Sequence, residues 1–265
     1  MTPETSREKD RRSIAKFKLF DDIFMNAAFN GYKKETKFLI DTITGMDVTV
    51  KETETQPFYS NIHGHEVRLD IVATDKDGKV YHFEVQRAVN DNLRRRARFT
   101  AALVDSTLLK KGEKYRNLPD RYTIFITETD YFGKGLPLYH IENRIAELEN
   151  ESFRDGAHII YVNGAYRDTR NPIGALMHDF SCVNPSDMIN EVLRDRVKEL
   201  KKTSEGEGTM CAVMEDRIKE EKIDLAEKKI ASGKYSLNVI SDVLEIPLSD
   251  VEKLAEEMKT QPKAE

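Results

Sequence analysis

Residues 66–86, EVRLDIVATDKDGKVYHFEVQ, decide the fold of this chain. Two runs rich in Val, Ile, Tyr and Phe flank Asp75-Lys76-Asp77-Gly78, the composition of two strands joined by a tight turn. Two registers are available. A two-residue Asp-Gly turn pairs Thr74 with Tyr81 and puts Asp70 and Glu84 on opposite faces. A three-residue loop, with a type I turn and Gly78 in the left-handed conformation, pairs Ala73 with Tyr81 and sets Asp70 directly across from Glu84. A one-residue slip turns every side chain over, so the side-chain pattern selects between them. In the second register Val67, Leu69, Ile71, Ala73, Tyr81, Phe83 and Val85 share a wholly apolar face, while Arg68, Asp70, Val72, His82, Glu84 and Gln86 share the other. The first register would mix Asp70 with Phe83, so the bulged loop is expected.

Two carboxylates directly across a strand pair have Cβ atoms about 5 Å apart and repel each other. A cation between them relieves that repulsion, and oxygen ligands of this kind suit Mg²⁺, with Mn²⁺ also accommodated. Such an ion polarises a phosphodiester and generates hydroxide from bound water. Asp70 and Glu84 are therefore the candidate metal ligands and catalytic acids, and Gln86 is placed to orient water or a scissile phosphate. The plainer alternative is an amphipathic hairpin with a solvated polar face. It leaves two acids opposed with no complementary partner between them.

Outward from the hairpin, Ile14 to Thr44 reads as helical, with Phe17, Phe20, Phe24 and Ala28 at helical spacing, interrupted at Asn30-Gly31. The second of these helices, roughly Lys33 to Thr44, stops at Gly45. Asp47 to Thr55 alternates like a strand, and Pro57 to Gly64 has the composition of a turn region. A helix from about Asp91 to Lys111 carries the stripe Leu93, Ala97, Ala101, Val104 and Leu108 and closes at Gly112. Tyr122–Thr127 and His158–Val162 are short apolar runs of the buried-strand kind, with Ile141–Glu151 expected to be helical between them. Met188–Lys202 forms a helix, Thr203–Gly208 a loop or linker, and Cys211–Ala231 a charged helix. This order predicts an α/β sandwich with a mixed central β-sheet flanked by helices, plus a C-terminal helical tail, divided into a core over 14–202 and an appendage over 203–265.

Composition narrows the function. The charged fraction is 34% and no apolar run approaches the ~20 residues of a membrane span, so no membrane partner is expected. Cys182 and Cys211 are too few for a disulfide framework, which points to the cytoplasm. The net charge of −5 argues against coating nucleic acid over the whole surface, yet ten basic and four acidic residues fall between Arg87 and Arg121. Arg87, Arg94 and Arg98 fall on one helical face beside the candidate site, where phosphate contacts would position DNA. Asp91 and Asp105 lie on that face too, so a salt-bridged solvated surface is the alternative.

A lone aspartate ending one strand, Glu-x-Gln on the next and an Arg-rich helix after it resemble the PD-(D/E)XK nuclease superfamily. Within it, the chain is most similar to the recombination-promoting nuclease/putative transposase family, through YHFEVQ (81–86), GEKY (112–115), LPLYHI (136–141), YVNGAY (161–166) and LMHDF (176–180). The similarity spans roughly Lys16 to Met214. It implies a restriction-endonuclease-like fold and a Mg²⁺-dependent DNA endonuclease linked to recombination or transposition, with Asp70 and Glu84 as ligands. Gln86 stands where the superfamily carries lysine, and Glu35 matches the early-helix acid that often completes the site. The absent lysine leaves a rival open, a nuclease-fold scaffold with little or no catalysis that binds DNA or protein.

Two further features complete the chain. His63-Gly-His65 has strand spacing but no third nitrogen or sulfur ligand, and His82 on the polar face is expected to make a structural hydrogen bond. SLNVISDVLEIPLSDVEKLAEEM (236–258) has a helix-turn-helix outline, with Ser236 and Ser249 as N-caps and Pro247 in the turn. Six acids oppose only Lys253 there, so self-association or protein contact is expected rather than DNA binding.

Overall fold

The computed structural model describes residues 6–60, 66–87 and 92–260. Its centre is a six-stranded mixed sheet of β1 (Val50–Thr55), β4 (Ile71–Asp75), β5 (Val80–Gln86), β6 (Arg121–Thr127), β10 (Ala157–Asn163) and β7 (Leu138–Glu142), in that spatial order. The pairs β1–β4, β4–β5 and β10–β7 are antiparallel, and β5–β6 and β6–β10 are parallel. Parallel neighbours need a crossover, and between β5 and β6 it is α4 (Leu93–Leu108). Its residues Leu93 and Ala97 join Phe125 and Tyr161 in one buried cluster. The helices α2 (Asp22–Phe29), α3 (Lys33–Thr44), α5 (Pro172–Ser181) and α6 (Glu191–Lys202) pack together, and α2 and α3 lie on β1. Gly45 ends α3 with φ 73°, the left-handed stop its position predicts.

The hairpin adopts the bulged register. Ala73 pairs with Tyr81 and Ile71 with Phe83, and Gly78 has φ 86°. Its polar face is not solvated, because α4 covers it: His82 is fully buried and Glu84 is 1% exposed.

Several local expectations fail for identifiable reasons. Residues 15–21 are turns between α1 (Ser6–Ile14) and α2, not helix. The Asp21 carboxylate accepts the Lys18 N–H, while Phe17 stacks on Phe24 and Phe20 meets Phe180 edge-on. Long-range burial of these rings imitates helical spacing. Phe58–Ser60 is not turn but β2, paired with β3 (Glu66–Arg68). The span 141–151 is not the expected helix and holds only a single 3-10 turn, Ala146–Leu148. Its start belongs to edge strand β7, held by β10, and β8 (Arg144–Ile145) then pairs with β9 (Glu151–Ser152). Glu149 and Asn150 take positive φ there, which ends any helix.

Residues 203–208 are not a linker, because α7 (Ser204–Ser232) begins there. Thr203 Oγ1 accepts the Gly206 N–H at 3.0 Å, and a Cβ on Gly206 would collide with the Glu199 carbonyl oxygen and Leu200 Cα. Glycine is thus required for close approach, not for flexibility.

Contacts divide the chain into two units, Met1–Met210 and Cys211–Glu265. In the second, α8 (Leu237–Leu244) and α9 (Leu248–Thr260) form the expected helical pair, with Ala226, Ile240, Leu244 and Val251 as its buried cluster. Ser236 caps α8 by accepting the Val239 N–H. Ser249 is not a cap: α9 has begun by Leu248, and the Pro247 carbonyl accepts from Asp250 and Val251. Among the described residues no helix is long and apolar enough to cross a membrane.

The two α7 glycines should respond to alanine with opposite signs. Gly208 is exposed with open space around its Cβ position, so Gly208→Ala should stabilise by ~0.5–1 kcal/mol. Gly206→Ala should destabilise instead, and urea unfolding of the two variants measures both.

Candidate active site

The β4–β5 ladder stops one residue short of the predicted Asp70–Glu84 pair. Asp75 N–H bonds to the Lys79 carbonyl, so by ladder alternation Val85 N–H would meet the Leu69 carbonyl. The chain instead bends at Asp70. Leu69 N–H turns to the Pro57 carbonyl, and the Asp70 carboxylate itself accepts the Val85 N–H at 2.6 Å. Asp70 is therefore tied to the end of β5 by its side chain rather than as a backbone partner of Glu84.

Glu84 lies under α4. Arg96 reaches its Oε2 at 2.6 Å, and the Gln86 amide stands 3.4 Å from the same oxygen. Glu84 Oε1 and Thr100 Oγ1 are both buried without a hydrogen-bond partner among the described residues. Burial raises the Glu84 carboxyl above the usual range, opposed by Arg96 and by the nearby Thr100 hydroxyl. Burial likewise pushes Asp70 up to about 7, against the Val85 N–H and Arg96, with the charges of Asp22 and Glu84 adding to the rise. A buried carboxyl and a half-buried one thus share one guanidinium, and Glu84 Oε1 has beside it only the poorly aligned Thr100 hydroxyl. Hard oxygen donors short of positive charge fit a divalent cation, which Asp70 and Glu84 would hold.

The remaining candidates are placed differently. Glu35 is buried in the first turn of α3, but the early-helix acid acting on Asp70 is Asp22, whose Oδ1 accepts from Gln56 Nε2 at 2.6 Å. Arg87 is not on the helix: it follows β5 and pairs with Asp21 at 2.7 Å and Glu128 at 3.5 Å. Arg94 lies over the Tyr131 and Phe132 rings. Arg98 is exposed on α4 with no ion pair among the described residues. The Asp105 carboxylate goes to Arg121 rather than to that face. Among the described residues neither His82 ring nitrogen has a hydrogen-bond partner, and burial next to Arg121 lowers its pKa to about 3, keeping it neutral. His63, His65 and Asp91 lie outside the described residues. A separate cluster of His178, Asp179 and Cys182 is structural: Asp179 spends its carboxylate on Ile189 N–H, Asn190 N–H and the Asn190 amide.

Arg96 and Thr100 are the residues that strand-centred reasoning overlooks. Their signal was present in the α4 stripe, where 93, 96, 97, 100, 101 and 104 share one face at helical spacing. The two polar members of that stripe meet the polar face of the hairpin.

A family model described as PD-(D/E)XK nuclease family transposase matches residues 30–165, from before β1 through the end of β10. The chain belongs to that family. The match includes Asp70, Glu84, Gln86 and Arg96 but not Asp22. No curated protein and no solved structure matches the chain.

Native Asp70 keeps its proton up to about pH 7, whereas an unfolded-chain aspartate loses it near pH 4. The native state thus binds more protons in that window, and this group's contribution to stability falls as pH rises through it. His82 has the opposite slope: it stays neutral in the fold while the unfolded histidine protonates below about 6.5, so stability is lost as pH falls. Asp70→Asn should therefore stabilise the protein at pH 8 by roughly 1–3 kcal/mol, the scale of an imperfectly compensated buried polar group. The advantage should vanish below about pH 4. Thermal melts of both proteins across pH read the difference.

Proposed function

We propose that this chain is a divalent-metal-dependent DNA endonuclease that hydrolyses phosphodiester bonds and serves recombination or transposition. The observation carrying this proposal is the pair of under-neutralised carboxyls, buried Glu84 on β5 and half-buried Asp70 bonded to the Val85 N–H beside it, in a member of a nuclease family. Mg²⁺ is the preferred ion, with Mn²⁺ able to replace it. When bound, it would polarise the phosphate and acidify a water. The protein's own groups do the rest. Asp70 and Glu84 supply the oxygen ligands, Gln86 orients the water or a phosphate oxygen, and Glu35 is a supporting acid. Arg94, Arg98 and Arg87 provide positive charge for the DNA backbone at the mouth of the site. Residues 14–202 form the catalytic core. The appendage of 203–265 serves self-association, in keeping with its acidic helical pair and with Val239 and Val243 exposed one helical turn apart on α8. The protein acts in the cytoplasm.

A second function, a nuclease-fold scaffold without catalysis, draws on one observation. Gln86 has no charge, and Glu84 already has a counter-ion in Arg96. Calorimetry separates the two, since a scaffold would bind DNA or a protein partner but neither Mg²⁺ nor Mn²⁺.

Supercoiled plasmid incubated with the protein and Mg²⁺ should be nicked. Asp70→Ala should lower the rate by at least ~100-fold, as loss of a group acting on developing charge does. Equal cleavage by both proteins would assign the activity to another site or to a contaminant.

A further inference from the structure

We propose that Arg96 is a latch coupling the two ligands of the site: it serves as the counter-ion of Glu84 when no cation is bound, and moves to a DNA phosphate when one is. This rests on the metal-nuclease function proposed above. Among the described residues Arg96 is the only cation in contact with either acid, at 2.6 Å from Glu84 Oε2. The two ends of that ion pair differ in freedom. Glu84 is 1% exposed and fixed within β5, whereas the Arg96 side chain is 43% exposed and reaches in from α4. A cation taken up on Glu84 Oε1 would stand across one carboxylate from the guanidinium on Oε2, and the two positive charges would repel each other, so the mobile partner is the one that leaves.

The displaced guanidinium has a destination of suitable chemistry. Its planar array of N–H donors matches two phosphate oxygens, and Arg95 and Arg98 already expose positive charge on the same helix with no ion pair among the described residues. A cation arriving alone must break the Arg96–Glu84 pair with no compensation. With DNA present, the released guanidinium gains a phosphate. Each ligand should therefore strengthen the other, and by linkage the two factors must be equal.

The test uses the full chain, calorimetry with Ca²⁺ as an oxygen-liganding probe, and a short DNA duplex whose integrity is checked on a gel. In the wild type, saturating duplex should tighten Ca²⁺ roughly tenfold, within the usual span of coupling between sites. Arg96→Met, which keeps the stem but not the charge, should bind Ca²⁺ alone at least as tightly as the wild type and lose the coupling. Arg96→Lys should retain part of it. The latch is overturned if Arg96→Met weakens Ca²⁺ binding in the absence of DNA, because Arg96 would then merely hold Glu84 in shape. It is equally overturned if the wild type shows no coupling, a measurement that needs no variant to fold. Ca²⁺ binding that is abolished by Asp70→Asn but uncoupled from DNA would sink the latch alone. No Ca²⁺ binding by the wild type would sink both the latch and the metal site.

Discussion

Two carboxylates drawn out of water, with a single guanidinium to share, are the constraint around which this molecule is arranged. Removing an ionised carboxylate from water costs several kcal/mol even after relaxation, and the repulsion between Asp70 and Glu84 adds to it. The parallel pairing of β5 with β6 and the cover of α4 hold Glu84 in place regardless. Asp70 is held by a different device, a bend that exchanges a ladder hydrogen bond for one made by its own side chain. The sheet therefore supplies the rigidity that keeps the two acids together, and the unfavourable electrostatics are what the proposed cation would relieve.

A net charge of −5 does not conflict with the proposed DNA substrate. Positive charge is local. Arg95 and Arg98 stay open to solvent on α4, Arg94 rests on aromatic rings, and Arg87 is already committed to Asp21 and Glu128. The acidic α8–α9 pair would repel phosphate instead. Its exposed apolar residues Val239 and Val243 suit contact with protein.

Much of the fold was legible in the sequence because its determinants are local. Gly78 and the period-two alternation of 66–86 select the hairpin register, and Gly45 stops α3 by adopting a conformation other residues avoid. Gly112 does not stop α4, which ends earlier, at Leu108, on an extended Leu109. Where burial is long-range, local pattern misleads. Phe17 and Phe20 sit at helical spacing on a segment that is not helical, and the edge strand Leu138–Glu142 has no period of its own because β10 dictates its pairing.

The sequence by itself determined that Asp70 and Glu84 would come to the same face of one hairpin, since side-chain alternation and turn geometry act within a few residues. Only the tertiary structure decided what surrounds them. The polar face of the hairpin meets α4, Arg96 becomes the counter-ion, Asp22 rather than Glu35 adds its charge, and Asp70 leaves the ladder for the Val85 N–H. Those outcomes depend on which side of a helix settles on which strand, a choice made by burial summed over the whole core and written in no short stretch of residues.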